Sequence, residues 1–230
     1  MILGTLLVVR HRSVRLVSML AGIVLVLGML GPKAGVAPTP HWLLLICGSF
    51  VAVAGARLLA PGAALASARR VAATWWLAPG GRLFGALILL APFLALGAVI
   101  AGAPRGDVSG ALRMAGIALL YAAALGGLAL ALAPLLGATA AAFLGLVGAW
   151  LGGVGPSDMY ALLAGWSYLQ RPLVLFWNTL PLAWRAERWY REGATDDLLV
   201  LAVWIPVAVA LAAWAVAGGW MGMRTPRGTA

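Results

Sequence analysis

Charge is what this chain has least of. Aspartate, glutamate, lysine and arginine make up 10 % of its 230 residues, where a soluble domain carries about 25 %. Too little polar surface remains to coat a water-exposed globule, which excludes a soluble enzyme. An apolar share of 63 % excludes disorder for the same reason. Cysteine is reduced to Cys47, so no intrachain disulfide, cysteine metal cluster or thiol redox pair can form. Histidine is reduced to His11 and His41, which argues against a histidine-rich metal site. What is abundant is hydrocarbon, with a mean hydropathy of +1.01. The class that fits is an all-α, polytopic integral membrane protein. A span takes about 20 apolar residues, which leaves room for six spans and modest connections.

The net charge of +10 comes from sixteen basic and six acidic side chains. The basic residues flank apolar stretches, where they anchor and orient spans. The expected contact is therefore membrane lipid, with no nucleic acid partner. The spans are placed at about 14–31, 41–60, 83–103, 111–133, 135–152 and 198–221. The first follows Arg10, His11, Arg12 and Arg15 and has the form of a signal peptide. A cut after Gly35-Val36-Ala37 would leave Pro38 first, so it is read as a retained span. Pro134 is taken as a tight break between the fourth and fifth spans. Pro92 and Pro206 lie inside spans, where neighbouring helices can satisfy the freed carbonyls, and predict kinks. Gly81-x-x-x-Gly85, Gly148-x-x-x-Gly152 and Gly218-x-x-x-Gly222 allow close helix approach.

With six spans both termini share a side. Arg10, Arg12, Arg15, Arg57, Arg69, Arg70, Arg82, Arg224 and Arg227 fall there; Lys33, Arg105, Arg113, Arg171, Arg185, Arg188 and Arg191 fall opposite. All six acids, Asp107, Asp158, Glu187, Glu192, Asp196 and Asp197, also fall opposite. Both termini are accordingly placed in the cytoplasm, in a prokaryotic inner membrane.

Two segments are not plain spans. Over 61–78, Leu65, Ala68, Ala72, Trp75 and Trp76 recur at helical spacing beside a stripe of Ser67, Arg70 and Thr74. This predicts an amphipathic helix on the cytoplasmic surface. It either rests in the headgroups or docks on a soluble motor subunit as a coupling helix, with Arg69, Arg70, Trp75 and Trp76 as the contact residues.

The second segment, 155–195, is expected to start a helix at Ser157-Asp158. Gln170-Arg171-Pro172 interrupts it, and Gly193 caps its end. Thr195 with Asp196 and Asp197 then opens the last span. Gln170 and Arg171 at mid-membrane would be costly, so a re-entrant or interfacial hairpin on the outer side is expected in place of a seventh span. A seventh span would put the termini on opposite sides. Its aromatic residues suit the membrane boundary, and Trp166, Arg171, Trp177 and Trp184 are candidates for an outer gate or an interfacial anchor.

No acidic residue lies well inside a span, which disfavours an ion-coupled carrier. Paired carboxylates, metal motifs and serine–histidine pairs are missing at any common depth. There is also no G-x-x-x-x-G-K-[ST] phosphate loop. The chain is thus expected to be neither an enzyme nor an ATPase.

The basic lead Arg10–Arg15, the amphipathic helix at Arg69, Arg70, Trp75 and Trp76, the joined spans at Pro134 and the insertion before the last span come in a definite order. In that order the chain resembles the membrane subunit of an ABC exporter of the type-2 permease class. The resemblance is one of topology and covers nearly the whole chain. It implies two copies, or one copy with a related subunit, and separate ATP-binding cassette subunits. No cofactor would sit in this chain, and ATP would sit in the partner. The 61–76 segment would then be the motor contact and the outer hairpin part of an exit lid. The family's longer N-terminal connecting helix is shortened here to about thirteen residues. A rival reading is a non-catalytic structural or accessory subunit of a larger membrane complex.

Overall fold

A computed structural model describes residues 19, 22–23, 40–58, 78–103 and 106–214. Most of the first expected span, the amphipathic segment 61–77 with Arg69, Arg70, Trp75 and Trp76, and residues 215–221 lie outside the described residues. Among the described residues the chain is helical and contains no strand.

The elements are α1 (Pro40–Leu58), α2 (Ala78–Gly102), α3 (Val108–Leu136), α4 (Ala138–Leu151), α5 (Pro156–Leu162), α6 (Ser167–Thr179), α7 (Ala183–Glu192) and α8 (Thr195–Trp214). Three of them, α2, α3 and α8, are long and apolar enough to cross a membrane. A fourth span results if α4 and α5, bent by 102° at their junction, are taken as one. The 19-residue α1 carries a shorter apolar stretch, Leu43–Ala56. Pro92 and Pro206 lie inside α2 and α8, as the sequence predicts.

The helix α3 is the axis of the bundle. Some 72 % of its span is buried, against 39 % for α2 and 22 % for α8, and α1, α2, α4 and α8 all pack on it. Small residues make this possible. A Cβ on Gly55 of α1 would lie 2.7 Å from the Gly126 carbonyl oxygen of α3, so the two backbones touch. Gly145 of α4 is wedged between Ala52 and Ala129, and Gly148 faces Leu125. These contacts also fix direction. Gly48 meets Tyr121 and Gly55 meets Gly126, so α1 runs parallel to α3. Gly145, Gly148 and Gly152 meet Ala129, Leu125 and Tyr121, so α4 runs back along it. Ala208 of α8 meets Gly127, and Val209 meets Gly80 of α2.

Leu58, Ala78, Gly137 and Trp214 therefore share one end of the bundle, and Pro40, Gly106 and residues 152–195 share the other. Gly22 abuts the Phe93 ring of α2, which places that point of the first expected span beside α2.

Three boundaries differ from expectation. The break falls at Gly137, not at Pro134, because α3 continues through Pro134 to Leu136. A proline three residues from a helix end leaves few carbonyls to disrupt, whereas Gly137 adopts φ 90 and ψ 154, a conformation open essentially to glycine. Ser157 does not cap α5. Gly155 is the N-cap, with Pro156 at the first helical position. Nor does Gln170-Arg171-Pro172 break the insertion, since α6 runs through Pro172. Pro172 occupies the first two turns of α6, where few backbone N–H groups have a partner to lose. The breaks lie at Leu163–Trp166 and at Leu180–Leu182 around Pro181.

Candidate functional site

The insertion between α4 and α8 is where polar chemistry gathers. After α4 the chain turns through 102° into α5 and lies outside the bundle, with Leu162, Trp166 and Tyr168 exposed. It then re-enters along α6 and leaves along α7. The depth of its tip follows from Trp204, the tenth residue of the twenty in α8, whose Nε1–H donates to the Thr179 carbonyl at 2.5 Å. Thr179 therefore sits near mid-height of the bundle. The segment is a re-entrant hairpin, as the sequence suggests, and its turn is Leu180-Pro181-Leu182.

Broken helices leave carbonyl groups without partners, and apolar surroundings offer them no water. Here side chains take that place. Trp177 Nε1–H donates to the Val154 carbonyl at 2.9 Å. The Trp184 backbone N–H donates to the Gly152 carbonyl at 2.7 Å, joining the start of α7 to the end of α4. Gln170 Nε2 donates to the Tyr160 carbonyl at 2.8 Å. Arg185 donates through one terminal nitrogen to the Asn178 carbonyl and through the other to Asp197 Oδ1 at 2.5 Å.

Arg185 thus ties the last turn of α6 to the first turn of α8. It is 8 % exposed and Asp197 3 %, and its guanidinium lies 4.5 Å over the Trp184 ring. The α7–α8 junction makes the pairing possible. Gly193 takes the left-handed conformation at φ 70 and ends α7 with an N–H bond to the Trp189 carbonyl. Asp196 and Asp197 then occupy the first turn of α8, where the helix dipole favours a negative charge.

Around this pair is an outer ring of charge. Arg188 lies 3.6 Å from Asp197 Oδ2 and hydrogen-bonds Glu192 at 3.0 Å, and Arg191 lies 3.6 Å from Glu187. The hydrogen bond to Glu192, then the charge of Asp197, raise the Arg188 guanidinium above its ordinary value. Its charge is constant at any physiological pH. Tyr121 Oη, Ser49 Oγ and Trp184 Nε1 are buried without a hydrogen-bond partner among the described residues. No group of three or more histidine, cysteine, aspartate or glutamate residues positioned to hold a metal ion occurs among the described residues.

The four residues expected to form an outer gate or anchor do not share one surface. Trp166 and Arg171 are exposed, Trp177 is half-buried, and Trp184 is buried beneath Arg185. Trp177 and Trp184 belong to the bonded core of the hairpin, while Trp166 and Arg171 stay outside it. Arg185, Asp197 and Trp204 are the functional residues that sequence reasoning missed. A basic residue twelve positions before an aspartate, with a helix-ending glycine between them, is the signal that pairs the first two. Comparison with protein-family models, with curated proteins and with solved structures finds no match to this chain.

Proposed function

We propose that the chain is the membrane-spanning subunit of an ATP-driven ABC exporter, with six spans, both termini in the cytoplasm and ATP hydrolysed by separate subunits. One observation carries the reading. The re-entrant hairpin stands immediately before the last long apolar helix, at the end of the bundle opposite Leu58 and Ala78. In this reading the Gly137 end is cytoplasmic, so the basic residues Arg69 and Arg70 face a motor subunit while the hairpin faces outward. The spans support it further by what they contain. Apart from Asp197 and Arg113 near the hairpin end, the described parts of α3 and α8 carry no charged residue, so the energy for transport comes from another chain. Two copies, or a copy with a related subunit, would enclose the pathway.

The test is mild purification of the full chain from its native membrane. An ATP-hydrolysing cassette subunit is expected to accompany it. Arg69→Glu with Arg70→Glu is expected to reduce its recovery about tenfold, the equivalent of about 1.4 kcal/mol. Stable association with a respiratory or photosynthetic assembly, without an ATPase, would overturn the proposal in favour of an accessory subunit.

A further inference from the structure

A cleft of about 400 Å³ lies on α3 between α4 and α8, closed at one end by the tip of the hairpin. Its walls are Leu125, Leu128 and Leu132 of α3, Leu144 and Val147 of α4, and Trp204 of α8, with Phe176, Trp177 and Leu180 as the roof. No charged or hydroxyl-bearing side chain lines it. The indole N–H groups of Trp177 and Trp204 are already bound to the Val154 and Thr179 carbonyls. A polar ligand would therefore find no partner and would lose its own hydration. Water is excluded on the same ground, since apolar cavities stay dry.

Size and depth narrow the occupant further. Leu125 to Leu132 spans about 10 Å at 1.5 Å per residue, and a helix about 10 Å across would need about 800 Å³ over that length. The cleft holds half of that, so neither a helix of a second copy nor one of a partner fits. An extended peptide is excluded too, because its backbone groups would go unpaired in hydrocarbon. From its roof at mid-height the cleft runs toward the Gly137 end and opens sideways, into the hydrocarbon of that leaflet.

We infer that the cleft binds one acyl chain of a bilayer phospholipid from the leaflet at the Gly137 end, its terminal methyl against Phe176, Trp177 and Leu180. The hairpin tip then rests on a lipid tail held within the fold. This inference rests on the membrane orientation alone and does not depend on the ATP-driven reading.

The experiment uses the full chain in nanodiscs containing a phosphatidylglycerol with a diazirine near the end of one acyl chain, photolysed and mapped by peptide mass spectrometry. Adducts are expected at Phe176–Leu182 and on the facing turns of α3 and α4, and excess unlabelled lipid should remove them. Leu128→Trp and Val147→Trp, at half-buried wall positions, should each lower these adducts about tenfold while leaving adducts at exposed Phe143 and Trp150 unchanged. Labelling that is spread over the exposed faces and resists competition would overturn the inference, as boundary lipid only. A protein cross-link to the cleft in place of lipid adducts would also overturn it. The competition on the unmodified chain decides the matter even where a tryptophan variant fails to fold. Loss of ATPase association with intact labelling would refute the exporter proposal and leave this site standing.

Discussion

Replacing Arg185 by methionine or Asp197 by leucine is expected to loosen the protein far more than any exposed charge change. Each variant leaves its former partner buried and charged, and breaking one side of such a pair costs about 3–5 kcal/mol. Arg185→Met also leaves the Asn178 carbonyl unpaired, although Arg188 at 3.6 Å partly compensates Asp197. Asp197→Leu leaves Arg185 with only that carbonyl and the Trp184 ring.

The double variant has no stranded charge. It retains mainly the orphaned carbonyl, at about 1–3 kcal/mol. The double should therefore recover at least half the loss of either single variant. Arg185→Lys should fail to restore the parent, because one ammonium cannot present the guanidinium's fork to two acceptors on different helices. Cys47 supplies the assay, as a lone, fully buried thiol on α1 that a fluorogenic maleimide meets only on unfolding. At about 2–4 °C per kcal/mol for a chain of this size, each single variant should melt about 6–20 °C lower. Single variants within about 1 kcal/mol of the parent, the range of exposed pairs, would refute the reasoning. Strict additivity in the double would refute it equally.

Two further predictions use the same melting assay. Trp177→Phe keeps the ring but deletes the donor to Val154, so a loss of about 1–3 kcal/mol is expected, while Trp166→Phe at an exposed site should stay within about 0.5 kcal/mol. Gly145→Ala puts a Cβ 2.6 Å from that of Ala52 and should cost about 1–3 kcal/mol by forcing α4 off α1. Gly165→Ala meets nothing within 4 Å and should be neutral.

Helical class, apolar spans and a re-entrant hairpin were legible because each leaves a local trace: hydrocarbon runs, a helix-ending Gly193, acids opening α8. The breaks were not. Proline marks a break only where it removes bonds that a helix would otherwise make, and Pro134 and Pro172 stand near helix ends where few are lost. The junction that does break, Gly137, is one glycine among thirty, and its φ follows from the packing of α4 against α3. The site was half legible for a related reason. Tryptophan's preference for membrane boundaries explains exposed Trp166, but the same residue's N–H binds a stranded carbonyl at Trp177 and Trp204, and composition does not distinguish those uses. Arg185 and Asp197 were counted toward orientation as outer charges, whereas their pairing depends on a turn that brings α7 against α8.

The short fourth helix explains why the hairpin is built as it is. Fourteen residues of α4 rise about 21 Å, against about 30 Å of hydrocarbon, and α4 ends level with Tyr121 of α3. Beyond that point α7 packs on the same two helices, α1 and α3, that α4 packs on below it. A single backbone bond, Trp184 N–H to the Gly152 carbonyl, joins the two. With about 15 Å from the ten residues of α7, the pair is long enough to make one composite wall. That wall arises from two stretches thirty residues apart in sequence. It follows that α7 cannot lift away as a lid without exposing α1 and α3 and stranding the Arg185–Asp197 pair. Any outward movement of the insertion therefore belongs to α5 and α6. Their tethers to the bundle are the Trp177–Val154, Trp204–Thr179 and Arg185–Asn178 bonds, all of them single hydrogen bonds to carbonyl groups and all at or near the hairpin tip.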